Sequence, residues 1–135
     1  MTRAAFTILE LLLVLVILGL LAGVVAVKFA GQSESARIKT VETQLKNFRT
    51  ALDMFDSTTR RYPTTSEGLQ ALIEKPADAK QWKKTLDIDA LPLDPWDNPY
   101  QYRIPGQHRT DGYDLWSYGP DGKDGTEDDI GNWTK

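Results

Sequence analysis

Phe6-Thr7-Ile8-Leu9-Glu10 opens the stretch that decides the fold, and Leu11 to Val27, LLLVLVILGLLAGVVAV, continues it. The continuation holds seventeen residues without a charge. With Phe6 to Leu9 in front, it approaches the roughly 20 apolar residues that a helix needs to cross a bilayer. Glu10 is the one interruption. A carboxylate inside an apolar helix costs about 2.5–3.5 kcal/mol on insertion scales, so it needs a partner or a reason. Two readings of it stay open: Glu10 lies near the headgroups and reaches water, or it pairs with a cation supplied by another chain. A secretory signal peptide competes for the whole stretch, with Arg3 as its basic start and Ala22, Gly23 and Ala26 as a weak cleavage region. The length of the run, the charge at its front and the helical pattern beyond Lys28 argue against that reading.

Downstream, Ile38, Val41, Leu45, Phe48, Leu52 and Phe55 recur at spacings of 3, 4, 3, 4 and 3. This is an amphipathic helical stripe, with Arg37, Lys39, Glu42, Lys46 and Arg49 on the opposite face. No proline occurs before Pro63. The pattern predicts one helix from about Phe6 to Asp56, about 75 Å long at 1.5 Å per residue. The stripe covers fewer than three heptads, and enough chain follows to cover it. Packing on the chain's own later segments is therefore expected in preference to a coiled-coil seam.

Thr64 as N-cap with Glu67 three residues on forms a capping box. It predicts a short helix to about Glu74, ended by Lys75-Pro76, with Leu69, Leu72 and Ile73 buried. Residues 77–90 say least; Trp82 is expected on the core, and Lys80, Lys83 and Lys84 on a solvated face. Leu93-Asp94-Pro95-Trp96-Asp97-Asn98-Pro99-Tyr100 is a stiff corner built of two prolines and an asparagine, with Trp96 over the core. Tyr100–Ile104 and Tyr113–Tyr118 alternate as two strands around a Pro105–His108 turn. The single histidine, His108, reads as a surface residue. The sum is an α+β fold: a long N-terminal helix packed on a short helix and a small antiparallel sheet.

The chain has 135 residues, no cysteine and a net charge of −3. Without a disulfide, the soluble portion lacks the staple that small domains often use. Nothing in the charge pattern supports nucleic-acid binding. No histidine accompanies a nucleophile, and neither a phosphate loop nor an acid pair in a recognisable cleft is apparent. The chain reads as a non-enzyme.

The last feature is Gly119–Gly131, GPDGKDGTEDDIG, with five acidic residues in thirteen. Calcium takes 6–8 oxygens from carboxylates, carbonyls and water. Crowding of Glu127, Asp128 and Asp129 favours a cation. Composition alone leaves a calcium loop and a solvated acidic turn both open. Asp121-Gly122-Lys123 fails the EF-hand pattern, and the Gly-Gly-x-Gly-x-Asp nonapeptide is absent.

A short basic leader, Phe-Thr-x-x-Glu and a long apolar helix resemble the N-terminal signal of type IV pilins and type II secretion pseudopilins. The resemblance implies that a prepilin peptidase cuts between Ala5 and Phe6, with Ala5 where the family usually has Gly. It implies an N-methylated Phe6, and a Glu10 that neutralises the N-terminal amine of a neighbouring subunit, which is the partner a buried carboxylate requires. "YPTT" at Tyr62–Thr65, "DPWDNPY" at Asp94–Tyr100 and the C-terminal aspartates, in that order, are similar to the major pseudopilins of type II secretion systems. Asp97 stands where that family has Gly; if the position has positive φ, Asp is among the residues that tolerate it. In the family the C-terminal loop holds structural Ca²⁺. Carried over by position, Asp121, Asp128 and Asp129 are carboxylate ligands, and the carbonyls of Tyr118 and Lys123 complete the site. Asp124 and Glu127 match no ligand and count as outer charges.

The resemblance thus implies a leader at 1–5, a transmembrane or filament-core helix at 6–30 and a periplasmic head at 31–135, a pilin-like lollipop with a C-terminal calcium loop. It implies a single-pass inner-membrane protein that assembles into a homo-oligomeric helical filament. Its other partners would be the minor pseudopilins, the inner-membrane assembly platform, the prepilin peptidase and the membrane itself. Two alternatives remain: a type IV pilin or competence pseudopilin, and a membrane-anchored calcium-binding head that never polymerises.

Overall fold

The computed structural model describes residues 4–133, and the side chains of these except for residues 25–32. The expected leader therefore lies outside the described residues apart from Ala4 and Ala5. The chain divides into two compact units, one up to Ala36 and one from Arg37 onward. The element order is α1 (Ile8–Thr59), a 3₁₀ turn (Leu69–Leu72), β1 (Gln101–Arg103), β2 (Asp114–Ser117) and β3 (Ile130–Gly131).

Helix α1 starts two residues after the expected Phe6 because Thr7 caps it. The Glu10 amide donates to Thr7 Oγ1 at 3.2 Å, and the Leu11 amide donates to the Thr7 carbonyl. A threonine oxygen thereby satisfies one of the free N–H groups of the first turn. In this unit the apolar side chains face outward: Ile8 is 85% exposed, Val14 47% and Val24 60%. Among the described residues, no helix is long and apolar enough to cross a membrane. Side chains of the expected span at 25–30 lie outside the described ones.

The second unit is built on the stripe. Val41, Leu45, Phe48, Ala51, Leu52 and Phe55 are buried, with Val41, Phe48, Leu52 and Phe55 fully so; Ile38 is half-buried. They meet Leu69, Ala71, Leu72, Tyr100, Tyr102, Tyr113 and Leu115 in one core. The expected packing on the chain's own segments is what forms. Phe48 meets Tyr100 edge-on at 5.2 Å between ring centroids, the offset geometry that aromatic quadrupoles favour. The helix runs three residues past the expected Asp56. Thr58 and Thr59 hydroxyls bond back to carbonyls of the last turn, and it stops where Arg60 enters the left-handed region at φ 60.

The capping box forms, and the short helix after it is present, but it is 3₁₀ and begins later than expected. The Thr64 amide donates to Glu67 Oε2 at 2.8 Å and the Glu67 amide to Thr64 Oγ1 at 3.2 Å. Gly68 then adopts φ 59, a conformation that ends a right-handed helix. A single 3₁₀ turn, Leu69–Leu72, follows and stops short of the expected Glu74. Arg61 clamps the turn from outside, its Nη1 and Nη2 donating to the two Glu67 oxygens at 2.7 and 2.8 Å. This fork holds the Glu67 carboxyl down at about 2.

Trp82 packs on the core as expected, and its indole donates to the Ala71 carbonyl at 2.7 Å. The corner at 93–100 also closes as expected. Asp97 has φ 65, and the Asp94 amide donates to the Asn98 carbonyl. Both strands are shorter than the alternating pattern implied. The sheet is antiparallel in the order β1-β2-β3, with Tyr102 opposite Leu115 and Trp116 opposite Gly131. The two-residue β3 was not expected. Its sequence, Ile-Gly, carries no alternation, and it becomes a strand only because β2 offers it an edge.

Candidate functional site

The acidic loop leaves the sheet at Ser117 and returns at Ile130, so β2 and β3 fix both of its ends. Its first turn is braced from the 93–100 corner. Asp94 is buried; its Oδ1 accepts the Trp96 and Asn98 amides, and its Oδ2 accepts the Ser117 hydroxyl at 2.6 Å. Ser117 Oγ in turn accepts the Gly119 amide at 3.1 Å. Gly119 sits at φ 69, and a Cβ there would meet the Asp128 carbonyl well inside van der Waals contact. Only glycine lets the entering and returning limbs approach this closely.

Within the loop, Asp121 Oδ1 accepts the Lys123 amide at 3.0 Å and Asp129 Oδ2 accepts the Gly125 amide at 2.8 Å. The other Asp129 oxygen, Oδ1, is buried without a hydrogen-bond partner. Burial pushes the Asp129 carboxyl up, and the Asp124 and Asp121 charges add to the rise against the Gly125 bond. The Tyr118 hydroxyl is raised by burial and by Asp124 and Asp129. Asp121, Asp124 and Asp128 are exposed. Among the described residues no three carboxylates stand close enough, as placed, to hold an ion together. The donor set nevertheless suits a hard cation. A buried carboxylate oxygen without a donor, repelled by two like charges, is relieved by a cation.

Asp121 and Asp129 each accept a backbone amide of the loop, and the charges of Asp124 and Asp121 both act on Asp129. The structure places the Asp128 carbonyl against Gly119. Asp124 was set aside in the sequence as an outer charge; Trp116 Nε1 donates to its Oδ1 at 3.1 Å. No spacing in the sequence pairs these two residues.

A second polar cluster had no sequence signal. Asp114 is fully buried on β2. Its Oδ2 accepts the Gln107 amide at 2.7 Å, the His108 amide at 3.0 Å and Arg103 Nη2 at 3.3 Å, while Oδ1 accepts the Arg109 amide at 3.0 Å. Burial alone would push the Asp114 carboxyl up. The His108, Arg109 and Gln107 amides together with Arg103 outweigh it and hold the group at about 2. His108 is half-exposed, as a surface residue should be, but it is not isolated. Its Nδ1 lies 3.3 Å from Asp114 Oδ2, and its ring stacks on Trp133 at 3.9 Å. Trp133 also meets Trp116 at 5.7 Å, so the C-terminal aromatic is pinned between the loop side and the turn side of the sheet.

At the other end of the chain, Phe6 and Glu10 are both exposed and Ala5 directly precedes Phe6.

A family model described as type II secretion system (T2SS), protein G, matches residues 28–133. The chain belongs to the type II secretion system protein G family. It is 41% identical over 137 residues to the type II secretion system core protein G of Pseudomonas aeruginosa, covering 97% of this chain and 95% of that one. It is 44% identical to the core protein G of Klebsiella pneumoniae over 135 residues, covering 98% and 95% of the two chains. Among solved structures, the major pseudopilin from the type 2 secretion system of enterohaemorrhagic Escherichia coli is 40% identical, with a TM-score of 0.68 over 76% of this chain and 87% of the other. The resemblance read from the YPTT, DPW and aspartate motifs is therefore borne out, as is the α+β fold of a long helix with a small antiparallel sheet. As a protein G, the chain is a component of a secretion system and a pseudopilin.

Proposed function

We propose that this protein G is the major structural subunit of a type II secretion pseudopilus, a periplasmic filament that drives export of folded proteins through the outer membrane. The observation that carries the reading is the contrast along α1. From Val41 onward its apolar face is buried in the chain's own core, whereas from Ile8 to Val24 large apolar side chains are exposed. So much apolar surface needs a cover, lipid before assembly and neighbouring copies after it. Glu10 then meets the N-terminal amine that prepilin peptidase creates at Phe6, which removes the cost of a bare carboxylate among apolar side chains. The subunit would rest in the inner membrane with its second unit in the periplasm, and assemble with the minor pseudopilins on the inner-membrane platform.

Calcium belongs to the same proposal. Asp121, Asp128 and Asp129 would supply carboxylates and Tyr118 and Lys123 carbonyls. The partnerless Asp129 Oδ1 supports this. The ion would offset part of the loop's negative charge and act as the staple that a chain without cysteines lacks.

The test begins with the intact mass of the chain from membranes containing a prepilin peptidase. Loss of Met1–Ala5 with gain of one methyl group is expected. Glu10→Ala should then be processed but fail to form filaments seen by electron microscopy. Normal filaments from Glu10→Ala would refute the pairing role, and a cut near Ala26 would overturn the filament reading.

A further inference from the structure

Four basic side chains stand on the helix face opposite the buried stripe. Arg37, Lys39, Lys46 and Arg49 are exposed, and among the described residues no carboxylate forms an ion pair with any of them. Lys46 and Arg49 line an open groove of about 420 Å³ between α1 and β3, together with Leu45, Ile130 and Asn132. Glu42 lines it too, so the groove is positive on balance. The chain's negative charge is concentrated elsewhere. Gly119–Gly131 has five acidic residues and one lysine, Lys123. Asp121, Asp124, Glu127 and Asp128 in it are exposed. With one Ca²⁺ bound, the loop would still be acidic.

We propose that the groove lined by Lys46 and Arg49 receives the acidic loop of a second copy of this chain. The proposal rests on the filament reading above and names the surfaces of the second unit that meet there. Copies with a net charge of −3 repel one another unless opposite patches face. The groove and the loop are different surfaces of one copy. A contact between them is therefore head-to-tail, the kind from which open filaments are built. Inside a filament, a neighbour's loop is also the acidic segment at the highest local concentration. Exposed charge pairs add little affinity in water, but they fix register and exclude like-charged alignments. The apolar part of α1 supplies the cohesion of the filament, and this contact orients the second unit.

The experiment uses the full chain in its filaments. The chain has no cysteine, so an introduced one is unique. Two singly substituted chains with different tags, Lys46→Cys and Glu127→Cys, are assembled together and treated with a short bis-maleimide. A product carrying both tags can form only between copies. It is expected at about five times the yield obtained when exposed Lys80→Cys replaces Lys46→Cys. Charge reversal gives a second measurement. Lys46→Glu with Arg49→Glu, and Asp124→Lys with Glu127→Lys, are each expected to lower filament yield about tenfold. All four changes together should bring it back to within about twofold of wild type, which a misfolded chain could not do. Two-tag yield no higher than the Lys80→Cys control, Lys46→Cys captured by a different protein, or wild-type yield from both reversed pairs would overturn the proposal and leave the filament in place. Absence of filaments from the wild type would instead remove the filament reading, and this proposal with it.

Discussion

Replacing Asp114 by Asn should be among the most damaging single changes in the second unit. The carboxylate is fully buried and accepts three backbone amides, from Gln107, His108 and Arg109, as well as Arg103 Nη2. An asparagine can offer one oxygen. Whichever way the amide turns, its NH₂ faces at least one backbone N–H. A buried donor left unsatisfied costs about 1–3 kcal/mol, and Arg103 loses its counter-charge. A loss of about 3–4 kcal/mol is expected at neutral pH. All four tryptophans lie beyond residue 80, so urea unfolding of the full chain in micelles, followed by tryptophan fluorescence, reports on this unit. The pH dependence gives a second, independent check. The Asp114 carboxyl is lowered from 3.8 to about 2, which at 1.36 kcal/mol per tenfold change in proton affinity is about 2.5 kcal/mol. Because the folded value is the depressed one, this stability is present above the ordinary carboxylate range. It is lost as pH falls between about 5 and 2. Asp114→Asn should therefore lie well below wild type at pH 7 and converge on it at acid pH. A loss under about 1 kcal/mol at pH 7, or two parallel pH profiles, would refute the reasoning.

Three further predictions follow from other contacts. Glu67→Gln breaks the Arg61 fork and half of the capping box; it should cost about 1–2 kcal/mol in the same urea assay, less at low pH because the wild-type carboxyl, held at about 2, protonates there too. Gly119→Ala places a methyl against the Asp128 carbonyl at φ 69; a loss of at least about 3 kcal/mol is expected, and a mild effect would mean that the two limbs of the loop do not close as described. Asp97→Gly should instead raise stability by about 0.5 kcal/mol, since the left-handed φ of 65 disfavours a side chain; urea midpoints compare the two proteins directly.

Local chemistry made much of the molecule legible. The 3–4 spacing from Ile38 to Phe55 announces a buried helical face because every third or fourth side chain of a helix points the same way. Thr64 and Glu67 announce their reciprocal hydrogen bonds because those lie three residues apart. Prolines at 95 and 99 announce a corner. Motifs at Tyr62–Thr65, Asp94–Tyr100 and Asp121–Trp133 were sufficient for the family. Where one residue could overrule its neighbours, local reading stopped short: Gly68 converts a capped helix start into a turn and a 3₁₀ turn.

What only the tertiary structure decided is whatever depends on partners that no regular spacing brings together. Asp114 looks like any polar residue at a strand end until the Gln107–Arg109 turn folds its amides over it. His108 meets Asp114 six residues on and stacks on Trp133, 25 residues away, and no motif announces either contact. Ile130–Gly131 is a strand only beside β2, and Asp124 meets an indole from the middle of the sheet. Periodicity and short motifs encode which face is buried and where the chain bends. The pairing of buried polar groups is set by which strands and turns come together, and no spacing along the chain records that.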